Sequence, residues 1–84
     1  MAILLEDRDR DILASITFLL QFEDSVSPGL LSRALAEEGI SMTPAELGWW
    51  LRRSRAFRKR RRRSGARWFP VRPRLQRLYD QLGP

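Results

Sequence analysis

Neither cysteine nor histidine occurs anywhere in the 84 residues. With both absent there are no disulfides, no thiolate nucleophile, no ordinary zinc site and no imidazole to act as general base near neutral pH. No glycine-rich phosphate loop is present either, and Asp7, Asp9 and Asp11 alternate with arginines at a helix start, where the macrodipole favours acids. The chain is therefore expected to be no enzyme, with no catalytic residues, no cofactor and no metal. Long apolar runs are also missing. The longest, Ile16 to Phe22, is broken by Thr17 and Gln21 and falls well short of the roughly 20 residues needed to span a bilayer. Ile3-Leu4-Leu5 is followed by Glu6, Asp7 and Asp9 rather than preceded by a basic segment, so it does not read as a secretory leader. A cytoplasmic, nucleoid-associated location without membrane contact is expected.

The length suits one domain over residues 1–84 with a modest core. Charge divides sharply along it. Met1 to Glu46 holds nine acids and three bases, whereas Leu47 to Pro84 holds thirteen bases and the single acid Asp80. Twelve of those thirteen are arginine, whose planar fork suits phosphate oxygens and guanine edges better than an ammonium does. Such a half-molecule calls for a polyanion as partner.

Local signals predict five elements. Ile12, Leu13, Ile16, Leu19 and Leu20 recur at helical spacing, predicting a helix over about 7–23. Phe18 and Phe22 lie on a second sector of it. They are expected in the core beneath the C-terminal helix, the alternative being a homodimer or partner contact. Ser27-Pro28 is an N-cap followed by proline at the first helical position, and Gly39 supplies a left-handed stop, giving a helix over about 28–38. Thr43-Pro44-Ala45-Glu46 combines a capping box with proline at N1 and opens a third helix over about 44–54. Trp50, Leu47 and Leu51 fall on its buried side, with Trp49 on the surface.

Phe57 to Arg63 and Arg67 to Val71, separated by Ser64-Gly65-Ala66, predict a basic β-hairpin over about 57–71. A three-residue loop would pair Arg63 with Arg67 and Arg61 with Phe69. That register is expected because it gathers Phe57, Phe69 and Val71 on the inner face and leaves Arg60, Arg62 and Trp68 outside. A two-residue turn would instead place Phe57 with Trp68. Leu75, Leu78, Tyr79 and Leu82 complete a short helix over about 73–82 opened by Pro73. The fold class is thus mainly α with a small hairpin.

In this order, with Leu31, Leu35, Ile40, Leu47 and Leu51 at its apolar positions, the stretch from Ser27 to Val71 resembles the winged helix-turn-helix DNA-binding superfamily. Its turn is one residue longer than usual, because Met42 precedes the Thr43 cap. Leu35 to Arg63 is also similar to helix-turn-helix modules of plasmid, phage and bacterial primase-helicases. The resemblance implies duplex DNA binding in transcription regulation or replication, with the third helix in the major groove and the hairpin as a wing on the adjacent backbone. The positions that fit are Thr43, Ala45, Glu46, Trp49, Arg52 and Arg53 on the helix, and Arg58, Lys59, Arg60, Arg61, Arg62, Arg63 and Arg67 on the wing. Glu46 has a competing local duty in the capping box. Two other partners are open to the same residues: RNA for the arginine hairpin, and a larger protein for Phe18, Phe22 or the C-terminal helix.

Overall fold

The computed structural model describes residues 7–63 and 65–82, with Leu82 as backbone alone. Ser64, the stretch 1–6 read above for leader signals, and the final Gly83-Pro84 lie outside the described residues. Within them the chain forms α1 (Asp7–Leu19), α2 (Pro28–Glu37), α3 (Pro44–Ser54), β1 (Phe57–Arg62), β2 (Gly65–Pro70) and α4 (Arg72–Leu82). The molecule is mainly helical with one two-stranded antiparallel hairpin.

Helix boundaries follow their local chemistry. α1 stops at Leu19 rather than near Glu23, but its hydrogen bonding continues in a tightened turn: Gln21 N–H reaches the Phe18 carbonyl and Phe22 N–H the Leu19 carbonyl. Shortening to i−3 partners is a common way for a last turn to close. Ser27 caps α2, its Oγ accepting from Leu30 N–H at 3.1 Å. At the other end Gly39 adopts φ 79, and Ile40 N–H and Gly39 N–H donate to the Leu35 and Ala36 carbonyls, the two bonds of a Schellman stop. α3 ends on Arg55 in the left-handed region, φ 57.

Ile12, Leu13, Ile16, Val26, Leu31, Leu35, Leu47, Leu51, Leu75 and Leu78 form the buried core, with Met42, Ala56, Phe57 and Trp68. The extra residue of the turn, Met42, is therefore an apolar plug, and its carbonyl accepts from Ser32 Oγ. Trp50 is half-buried against this core, and its indole Nε1–H donates to Asp9 Oδ1 at 2.7 Å. Asp9 is itself buried. It stands three, four and seven residues before Ile12, Leu13 and Ile16, on the stripe that faces inward. Thr17 Oγ1 and the Tyr79 hydroxyl share a hydrogen bond that ties α4 to α1.

Phe18 and Phe22 are not core residues. They are 58% and 72% exposed and stack edge-to-face on each other, with centroids 5.3 Å apart. With about 100° per residue, turning Ile12 and Ile16 inward carries Phe18 to the far side of α1.

The hairpin has the other register. Arg62 pairs with Gly65, Arg60 with Arg67, Lys59 with Trp68 and Phe57 with Pro70, so only residues 63 and 64 separate the strands. Neither the Arg63–Arg67 nor the Arg61–Phe69 pair forms. Side-chain alternation then places Phe57, Lys59 and Arg61 on the same face as Ala66, Trp68 and Pro70. The opposite face carries Arg58, Arg60 and Arg62 with Arg67 and Phe69. Trp68 is buried, whereas Phe69 and Val71 are only half-buried. What decides the register lies outside the hairpin: Val26 and Trp68 exchange both backbone bonds, at 2.9 and 2.7 Å, and Val71 N–H donates to the Ala56 carbonyl at 2.8 Å. These contacts fix β2 against the helical body with Trp68 inward, and the large indole fills the core position expected of Phe69.

Candidate nucleic-acid interface

Ala45, Gly48, Trp49 and Arg52 stand at i, i+3, i+4 and i+7 on α3, one continuous stripe of a helix. The hairpin overhangs that stripe. Lys59, Ala66 and Trp68 face it from the inner side of the hairpin, and Pro28 closes one end, enclosing an open cleft of about 210 Å³. Three small residues keep the cleft open: a Cβ added at Gly48 would meet nothing within 4 Å. Trp49 is 64% exposed, and Lys59 Nζ lies 5.9 Å from the Trp68 ring centroid, within cation–π range. The cleft therefore has aromatic surface, small walls and two cations, and no acid lines it.

The other expected contact residues divide by position. Thr43 and Glu46 are engaged with one another: Thr43 N–H and Oγ1–H donate to Glu46 Oε1, and Glu46 N–H donates to Thr43 Oγ1, each at 3.1 Å. The backbone bond from Thr43, then its hydroxyl, hold the Glu46 carboxyl below the usual carboxylate range, since both donors favour the ionised form. Arg53 is exposed one residue beyond the stripe. Arg61 and the turn residue Arg63 are exposed, Arg61 on the α3 side of the hairpin.

Arg58, Arg60 and Arg62 are exposed on the opposite side. There the Arg62 and Arg60 guanidinium carbons lie 4.8 and 6.0 Å from the Phe69 ring centroid, and Arg62 is 3.7 Å from Asp24. An ion pair that exposed holds its partners weakly. Arg67 has a local duty instead. Its Nε and Nη2 donate to Ser25 Oγ and the Ser25 carbonyl at 2.9 and 3.0 Å, with Glu23 at 3.7 Å. Ser25 is buried and its hydroxyl donates in turn to Asp24, so Arg67 fastens the α1–α2 connection to β2 rather than standing free.

No family model, curated protein or solved structure matches this chain. Among the described residues there is no cluster of potential metal ligands and no helix long and apolar enough to cross a membrane.

Four residues that line the cleft, Pro28, Gly48, Ala66 and Trp68, are not among the contact positions expected from the sequence. The stripe of Ala45, Gly48, Trp49 and Arg52 is readable as a helical period, which identifies Gly48. Ala66 and Trp68 enter the site only through the hairpin register, for which the local sequence offered two solutions.

Proposed function

We propose that the chain is a non-enzymatic nucleic-acid-binding module of winged-helix type that grips duplex DNA. α3 enters the major groove and the hairpin lies along the adjacent backbone, as in a transcription regulator or replication accessory module of the cytoplasm and nucleoid. The observation that carries this reading is the cleft: the exposed stripe of α3 and the inner face of the basic hairpin converge on it from opposite sides, with Arg52 and Lys59 on its walls. Arg53, Arg61 and Arg63 extend the same basic surface, while Ala45 and Gly48 let the helix backbone come close to base edges. Arg52 and Arg53, at the end of α3, take phosphates, since recognition helices present their first turns to bases. The Val26–Trp68 bridge supports the wing assignment, because it makes the hairpin a fixed outgrowth of the helical body rather than a loose arm.

Anisotropy titration of a short random-sequence duplex at several salt concentrations tests the reading, with single-stranded DNA and duplex RNA as competitors. Neutralising about five phosphates gives a log–log salt slope of about −4.5, and duplex DNA competes best. A preference for RNA or single strands moves the assignment to those polymers. No binding at low salt removes it.

The exposed Phe18–Phe22 pair favours a second reading, an adaptor that docks on a larger protein or a second copy through α1. Replacing both phenylalanines by serine then abolishes partner binding and leaves DNA affinity intact.

A further inference from the structure

We propose that the cleft between α3 and the hairpin is a subsite for one unpaired nucleotide, its base stacked on the Trp49 indole and its phosphate held by Arg52 and Lys59. The proposal deepens the duplex-binding reading and rests on it.

Size and shape come first. At about 210 Å³ the cleft is smaller than the ~300 Å³ at which pockets for drug-sized molecules begin, and its open side admits a group that remains attached to a chain. Ala45, Gly48 and Ala66 give it walls with little more than backbone, and the space over Gly48 is empty, so a flat ring can slide in beside the helix.

Chemistry narrows the occupant. A purely apolar ligand has no use for Arg52 and Lys59, and a free anion has none for an indole 64% exposed. A nucleotide uses both, a π-face for Trp49 and a phosphate for the cations. Trp50 is half-buried with its N–H given to Asp9, and Trp68 is buried, which leaves Trp49 as the tryptophan free to stack. The base must be unpaired, because a base within a duplex shows the protein only its edges while its faces stay stacked on neighbours. A bulge, a duplex end or a junction between double and single strand supplies such a base beside a duplex long enough to meet the rest of the basic surface.

The test uses the full chain and two DNAs: a fully paired duplex, and the same duplex carrying one unpaired 2-aminopurine. Anisotropy reports affinity, and 2-aminopurine emission reports stacking. The bulged duplex is expected to bind more tightly by about 5- to 150-fold, the range of a single base–aromatic stack, with its emission quenched. Trp49→Ala removes the quench and brings the ratio of bulged to paired affinity, both measured on the variant itself, down to about one. Gly48→Met fills the cleft, and because glycine is a poor interior helix residue it retains the wild-type circular dichroism; it too loses preference and quench. Binding of the paired duplex with no preference and no quench overturns the subsite and leaves the duplex reading standing. So does a preference that survives Gly48→Met or Trp49→Ala. Failure to bind either DNA overturns both.

Discussion

Two carboxylates on the helices do different jobs because their surroundings differ. Asp9 faces inward and receives the Trp50 indole N–H from a residue 41 positions away, so it links α1 to α3. Removing it leaves an indole donor short of its partner. Asp9→Ala is expected to cost about 1–3 kcal/mol in urea denaturation, and less in a Trp50→Phe background; equal costs in the two backgrounds would show that the pair is not coupled. Glu46 is solvent-facing, and its carboxyl is held below the ordinary range by Thr43. A lowered folded-state pKa adds stability above the unfolded value, and that stability disappears as pH falls through the lowered one. Thermal midpoints of the wild type and Glu46→Gln, which keeps an acceptor in the capping box, should therefore differ at neutral pH and converge in strong acid. A gap independent of pH would mean that the charge is idle.

At the scale of elements, the hairpin is the part whose two faces differ most. Lys59 and Arg61 look toward α3 and Arg63 sits at the turn, whereas Arg58, Arg60 and Arg62 surround Phe69 on the opposite side. Two triple glutamine variants remove the same charge from different places. If the cleft side meets DNA, changing Lys59, Arg61 and Arg63 lowers the magnitude of the salt slope by about 2.7, three phosphates' worth. The change at Arg58, Arg60 and Arg62 lowers it by less than half as much. Equal losses would mean that the hairpin acts as an undirected cloud of charge. The capping box, the proline at N1 and the Schellman stop keep α3 and α2 in place independently of the hairpin, so both variants should retain wild-type helicity in circular dichroism.

Across the whole molecule, an acidic first half and a strongly basic second half are folded against one another, yet among the described residues only Asp24 and Glu23 meet hairpin arginines as ion pairs, each at 3.7 Å. Most of the hairpin's charge is left to repel itself. Added salt screens that repulsion over a Debye length of about 8 to 10 Å, so the urea midpoint of the free protein should rise with sodium chloride. A midpoint that falls with salt would show attraction between the halves to outweigh repulsion within the second.

What the chain determined by itself is what depends on near neighbours. The starts of α2 and α3, the Gly39 stop, the inward stripe of α1 and the existence of a basic hairpin all follow from residues within one or two turns of each other, where capping, φ preference and periodicity act. The hairpin register, the burial of Trp68, the exposure of Phe18 and Phe22, and the clamp of Arg67 on Ser25 across 42 positions were decided by tertiary structure. For the register and for the placement of these aromatic side chains, the local sequence admits two solutions. Val26 pairing with Trp68 and the rotation of α1 about its buried stripe select between them, because only a packed core makes one of the two the better way to remove large apolar side chains from water.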